Sequence, residues 1–224
     1  MQVSFSAGSH NRLTTHDLGR FAGDTLFDRI GRVACQVGRL PRKELYEAWE
    51  VARRVRRLCR GGRVLDVAGG HGLLAHVMLM LDDSSPEAFV IDPAPPPSGR
   101  ILHDAFVAAW PRLQGRVNVM PTGIREVAIL PTDVVVSSHA CGALTDWILD
   151  AAAAASACVA VLPCCHDHAE CDAGALTGWL DGAMAIDATR AMRLASRGYR
   201  VRTQTIPREI TPKNRLLIGT VDGA

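Results

Sequence analysis

Two short stretches carry most of the reactive side chains. Residues 137–146 read SSHACGALTD, and residues 161–171 read VLPCCHDHAEC. Together they offer Cys141, Cys164, Cys165 and Cys171, with His139, His166, His168 and the carboxylate of Asp146. Imidazole titrates near neutrality and can take a proton from an attacking group. Thiols can hold a soft ion, act on a soft acceptor, or wall a pocket as small apolar groups. A structural zinc site needs four converging ligands. Adjacent cysteines chelate poorly as a pair and no C-x-x-C spacing occurs, so no metal is expected. The reading adopted is a polar acceptor pocket, in which His139 or His166 orients or deprotonates the attacking group while Cys164 and Cys165 shape the wall. Two others stand beside it. In one, the thiols grip a metalloid or thiolate acceptor. In the other, the cysteines are buried core residues and the histidines are internally satisfied. His168 and Cys171 lie further on, towards a helix start, and are read as structural.

These residues follow two of five short apolar runs: RVLDVA (63–68), AFVID (88–92), RVNVM (116–120), DVVVSSHA (133–140) and CVAVLP (158–163). Helical patterns separate them over LLAHVMLML, ILHDAFVAAW and ALTDWILDAAAAA, with a long one over roughly 173–197. Continuous apolar strands alternating with helices imply a parallel sheet covered on both faces. YRVRTQTI and RLLIGTV form a closing pair around PREITPKN. No helix joins them, so one runs antiparallel. In such a sheet, ligands bind beyond the carboxyl ends of the strands. With the fourth and fifth strands as neighbours, His139, Cys141, Cys164, Cys165 and His166 should share one cleft.

The first strand runs into VLDVAGGHGLLA, which places Gly69, Gly70 and Gly72 before a helix. Glycine lets backbone approach a ligand closely, and a helix N-terminus offers unpaired N–H groups. Asp92 ends the second strand, where a carboxylate commonly accepts ribose hydroxyls. A turn shaped only by packing is the plainer alternative.

The combination resembles motifs I and II of class I S-adenosylmethionine-dependent methyltransferases. Asp66 matches the acidic residue of motif I. Gly70 and Gly72 match its second and third glycines, and Ala68 replaces the first. The resemblance implies a Rossmann-like α/β fold: a seven-stranded methyltransferase sheet, mostly parallel with the last strand antiparallel, and helices on both faces. It also implies S-adenosyl-L-methionine as cofactor, held by Asp66, Ala68, Gly69, Gly70, Gly72, Asp92, Pro93 and His139. In this fold the turn MPTGIRE (120–126) flanks the adenine, which adds Gly123 and Ile124. HACGALTD followed by LPCCH is similar to a narrower branch that includes the eukaryotic tRNA acceptor-stem ribose 2′-O-methyltransferases. His139, Cys141, Gly142, Thr145, Asp146, Cys164, Cys165 and His166 fall in register with its H-x-C-G-x-x-T-D and C-C-H pattern. The zinc-binding N-terminal module of those enzymes has no counterpart in the present sequence. The expected activity is therefore methyl transfer to an oxygen or nitrogen of an RNA or small-molecule acceptor. The acceptor side would include Lys43, from a lysine-bearing element similar to one preceding motif I, together with Cys141, Asp146 and Asn214. A non-catalytic cofactor-binding module and a dehydrogenase-type nucleotide binder remain as alternatives.

Residues 21–59 are helical in pattern and are divided by Pro41. The expected organisation is a helical cap over 1–60 and a cofactor-binding domain over 61–224. The cap's second helix carries Arg42, Lys43, Arg53, Arg54, Arg56, Arg57 and Arg60. These either track phosphates or, as favoured here, form a solvated face balanced by Glu44, Glu47 and Glu50. A net charge of +2 is too small to argue for nucleic acid. No leader pattern is present, and the longest apolar stretch, Ala151–Pro163, is too short to span a bilayer. Seven cysteines, two of them adjacent, suggest reduced thiols in the cytoplasm. The oligomeric state is not legible.

Overall fold

Valine-rich runs build a seven-stranded sheet in the computed structural model, which describes residues 5–221. The outer ends of the two expected units, residues 1–4 and 222–224, lie outside the described residues. The strands are β1 (Val64–Val67), β2 (Ala88–Ile91), β3 (Val117–Met120), β4 (Val134–Ser137), β5 (Cys158–Val161), β6 (Arg200–Thr205) and β7 (Arg215–Thr220). Their order is β3-β2-β1-β4-β5-β7-β6. β1 to β5 pair in parallel, and β7 runs antiparallel to both β5 and β6. This is the expected Rossmann-like sheet. The central strands β1, β4 and β5 are buried throughout. Edge strand β6 exposes Arg200 and Arg202, charges that discourage pairing with another chain.

Among the described residues six α-helices cover the sheet: α1 (Leu26–Val37), α2 (Arg42–Val55), α3 (Leu73–Leu81), α4 (Ser98–Ala109), α5 (Ala143–Ala154) and α6 (Gly182–Ser196). Successive strand residues point to opposite faces, and the two cores follow that rule. Val64, Val90 and Val136 join Leu74, Met78 and Phe106 on one face. Leu65, Val135 and Val159 join Ile148 and Leu194 on the other. The N-terminal helices belong to the first core, through Ile30, Leu45 and Val51. Among the described residues no helix is long and apolar enough to cross a membrane.

The stretch Thr15–Phe21 forms a 3-10 helix, with Thr14 N–H donating to the Asp17 carboxylate at 3.0 Å across its start. Two local expectations change. The long helix expected from about 173 begins only at Gly182. Aspartates favour turns by accepting nearby backbone N–H groups. Asp167 takes the N–H of Ala169, Asp172 that of Gly174, and Asp181 caps α6 by accepting from Met184 N–H. Finally, Cys59 and Cys158 are joined as a disulfide, which corrects the expectation of seven reduced thiols. Cys35, Cys141, Cys164, Cys165 and Cys171 are free.

Gly61 and Gly62 lead into β1 with φ of 66° and 61°. A Cβ on Gly62 would lie 1.7 Å from the Thr132 carbonyl oxygen, whereas one on Gly61 would meet nothing within 4 Å. Gly61→Ala should therefore cost only the left-handed penalty, about 1–2 kcal/mol. Gly62→Ala should cost clearly more, because the entries of β1 and β4 must move apart. Denaturant unfolding of both variants checks this, and equal losses would show that the contact is not tight.

Candidate active site

The β1–α3 turn is shaped by two different demands. Gly69 and Gly72 are packed against β2: a Cβ on either would fall within 2.8 Å of Val90. Gly70 is the opposite case. Its φ is 51° and a Cβ would point into open space, so its backbone is presented rather than packed. Ala68 also sits in the left-handed region, at φ 54°, where the motif residue is normally glycine. Ala68, Gly69 and Gly70 line one wall of a cavity of about 230 Å³, and His139 with Glu44 and Ala48 of α2 line other parts of it.

Asp92 secures the turn from below. Its Oδ2 accepts Gly70 N–H at 3.0 Å, and its Oδ1 accepts Ala94 N–H at 2.9 Å. An ionised carboxylate has about four acceptor positions, so capacity remains for hydroxyl donors. Pro93 follows on the exposed side.

Two expected cofactor contacts are buried. Asp66 is 1% exposed and lies beneath the turn, with Oδ2 accepting Ala75 N–H at 3.0 Å. It positions the turn and α3 rather than reaching the cavity. Burial pushes its carboxyl up to about 7; the Ala75 hydrogen bond opposes the shift, and nearby Asp92 adds to it. Ile124 is buried in the second core, so it supports the neighbouring turn, while Gly123 stays half-buried beside it.

The acceptor-side residues divide into two groups. His139 is half-buried and lines the cavity above the glycine turn. Cys141, Cys165 and His166 line a separate open depression of about 870 Å³ bordered by Trp147. The single expected cleft is thus two adjoining spaces. The His166 side chain is 5% exposed, and its Nε2 lies 2.8 Å from Asp187 Oδ1. Asp187 also accepts from Arg215 Nε at 2.7 Å. Burial opposes ionisation of Asp187, yet the hydrogen bonds from His166 and Arg215 hold its carboxyl below the usual range.

The thiols of Cys141 and Cys164 lie 3.1 Å apart, and Lys213 Nζ donates to Cys165 Sγ at 3.7 Å. Burial drives the Cys164 thiol well up. Cys165 is lowered, first by its hydrogen bond with Cys141 and further by Lys213.

Three expected acceptor contacts are engaged elsewhere. Asp146 is held by buried Arg190 at 2.7 Å and by Arg193 at 3.2 Å. Asn214 closes the β6–β7 hairpin, donating from Nδ2 to the Ile206 carbonyl at 2.8 Å. Lys43 pairs with Glu47 one helical turn on, at 2.7 Å. Cys171 is buried against Arg190. His168 packs where a Cβ on Gly182 would fall, and it is exposed at the same depression as Cys165 and His166. Sequence reasoning missed Glu44 and His71, which lie 3.6 Å apart at the cavity, and Ser98, which reaches His71 Nε2 at 3.0 Å. A Glu one residue past Lys43 gave no signal, because only the packing of α2 over the turn brings it there.

No family model matches the sequence, and no curated protein matches it either. Solved structures do. An O-methyltransferase family protein from Burkholderia thailandensis aligns over 93% of this chain with a TM-score of 0.52 and 21% identity. The chain spans 64% of that protein's length. The ribosomal protein L11 methylase of Lactobacillus delbrueckii subsp. bulgaricus aligns over 76% of each chain, with a TM-score of 0.50 and 12% identity. These likenesses establish the fold that the motifs implied.

The raised carboxyl of Asp66 has a pH consequence. Unfolded, it ionises near 3.8; folded, near 7. The fold therefore binds more protons between those values. The stability Asp66 contributes is present in acid and is lost progressively as pH rises from about 3.8 through about 7, by on the order of 4 kcal/mol. Asp66→Asn keeps an acceptor for Ala75 without the charge. Its stability relative to the parent should climb from pH 4 to pH 8 in ligand-free protein. Parallel stability profiles would show that Asp66 ionises freely in the fold.

Proposed function

We propose that the chain is an S-adenosyl-L-methionine-dependent methyltransferase acting on an oxygen or nitrogen of an RNA or small-molecule acceptor. The observation that carries this is the Asp92–Gly70 link. A carboxylate with spare acceptor capacity grips a left-handed glycine whose missing Cβ opens the turn towards a cavity. The HACGALTD and LPCCH elements support the narrower branch containing tRNA ribose methyltransferases. The residues fit the cofactor: Asp92 would take ribose hydroxyls, the turn from Ala68 to Gly70 would lie along the amino-acid portion, and Gly123 would flank the adenine. Bound there, the cofactor supplies a sulfonium-activated methyl group.

The chain's own part is positioning, exclusion of water and proton removal. His139 is the residue proposed to take the acceptor's proton. It faces the cavity, and among the described residues no hydrogen bond or ion pair holds its ring, whereas Nε2 of His166 is engaged by Asp187. His166 is proposed as a positioning residue for the thiol-bearing loop. The helical segment over 1–60 is proposed to act as a cap, because α2 contributes Glu44 and Ala48 to the cavity wall.

The arginines of α2 lend little support to an RNA acceptor. Arg42 pairs with Asp17, Lys43 with Glu47, Arg53 and Arg54 with Glu50, and Arg56 with Asp82. Arg56 is also buried, donating to the Met78 carbonyl and to Ser85. An acceptor held by the open depression near Trp147 does not need these residues.

Incubation with methyl-labelled cofactor and fractionated RNA and metabolite pools tests the proposal. Label should transfer to one fraction. His139→Ala should lose about 10²–10⁴-fold in turnover, the usual range for a general base. Asp92→Ala should weaken cofactor binding by about ten- to a hundredfold, from losing charge-assisted bonds worth roughly 1.5–3 kcal/mol. Full activity in His139→Ala would remove its assigned role. Unchanged affinity in Asp92→Ala would displace the cofactor site.

A further inference from the structure

The two loops that follow β4 and β5 bring three thiols to one point. Sγ atoms of Cys141, Cys164 and Cys165 all lie within 4.8 Å of one another. The convergence is built by backbone. Cys141 and Cys165 form an isolated parallel bridge beyond the strand ends, with Gly142 N–H donating to the Cys165 carbonyl at 3.2 Å. Gly142 has φ 54° and ψ −131°, a conformation open essentially to glycine alone, and it lets the chain turn into α5 directly after Cys141. Buried Arg190 fixes the same corner by donating to the Gly142 carbonyl at 3.0 Å. Cys164 packs between the loops, its thiol 3.7 Å from the Ala140 carbonyl. Cys141 and Cys165 are exposed, so the group has an entrance.

The donor set is all sulfur. Among the described residues no histidine or carboxylate joins the three thiols as a fourth ligand. His166, adjacent in sequence, is turned to Asp187 instead. Lys213 places its ammonium 3.7 Å from Cys165 Sγ, which favours thiolate over thiol. Soft sulfur ligands select soft ions. A structural zinc ion needs four ligands, one more than is offered here.

We propose that Cys141, Cys164 and Cys165 form a three-sulfur site for a thiophilic trivalent metalloid. Arsenite is the probe. The exchange balances without an oxidant or reductant: three As–O bonds of arsenous acid break, three As–S bonds form, and the three thiol protons leave in three molecules of water. The site stands independently of the methyl-transfer reading, because it uses none of the glycine turn, Asp92 or His139.

The experiment is titration of reduced full-length protein with arsenite, and separately with zinc, followed by counting of reactive thiols and of bound element. One arsenic per chain should bind, with three thiols lost from the count and buried Cys35 and Cys171 unaffected. Cys141→Ser, Cys164→Ser and Cys165→Ser should each weaken binding at least tenfold, while Cys171→Ser leaves it unchanged. The parent's thiol count does not depend on any variant folding. Loss of only two thiols, arsenic retained in all three variants, or tight stoichiometric zinc with no arsenic bound would each overturn the proposal.

Discussion

Arg190 is the group on which the thiol-bearing side of the molecule depends. It is 1% exposed, and removing a guanidinium from water is costly unless paired charges and hydrogen bonds surround it. Here they do. Asp146 accepts at 2.7 Å, the Gly142 carbonyl at 3.0 Å and Asp187 at 3.3 Å. Each partner belongs to a different piece of the site. Asp146 begins α5, Gly142 follows Cys141, and Asp187 holds both His166 and Arg215. One buried charge thus ties the loop after β4, the loop after β5 and the start of β7 to α6. The thiols and His166 keep their places because that network leaves few alternatives.

The cofactor half rests on backbone. Gly69 and Gly72 let the turn sit against Val90, and Asp92 draws Gly70 N–H towards β2. Asp66 lies under the same turn as a carboxyl that favours its neutral form. Its proximity to Asp92 means that two carboxyl groups share one support, and Asp92, the less buried of the two, is the one placed where it could meet a ribose. α2 then closes the far wall, and its core residues Leu45 and Val51 fix it to the same apolar cluster as α3.

Much of this was legible in the sequence. Four-residue valine runs reveal buried parallel strands, and the helix-free link between the last two strands reveals the antiparallel one. The glycine turn and Asp92 are local in sequence, so their geometry could be read directly. The positions the sequence left open are those decided by tertiary partners. Asp146 looked like a pocket carboxylate because nothing nearby in sequence announces Arg190. Asn214 looked like a ligand contact, but its amide is spent on its own hairpin. The stretch 173–181 was expected to be the start of a long helix, yet Asp172 and Asp181 bind backbone N–H groups and delay that helix to Gly182. The meeting of Cys141 with Cys164 and Cys165 depends on a bridge between two loops, which no single stretch encodes. The arginines of α2 were favoured as a balanced face. Most are balanced by carboxylates, although Arg56 is buried rather than solvated.

The central claim is that the turn from Ala68 to Gly72, with Asp92, recognises S-adenosylmethionine rather than a nicotinamide dinucleotide. Calorimetric titration of the unmodified protein with S-adenosylhomocysteine, and separately with NAD, tests it most directly. One S-adenosylhomocysteine should bind per chain, with no heat of binding from NAD. Saturable binding of NAD, or no binding of S-adenosylhomocysteine, would contradict the account.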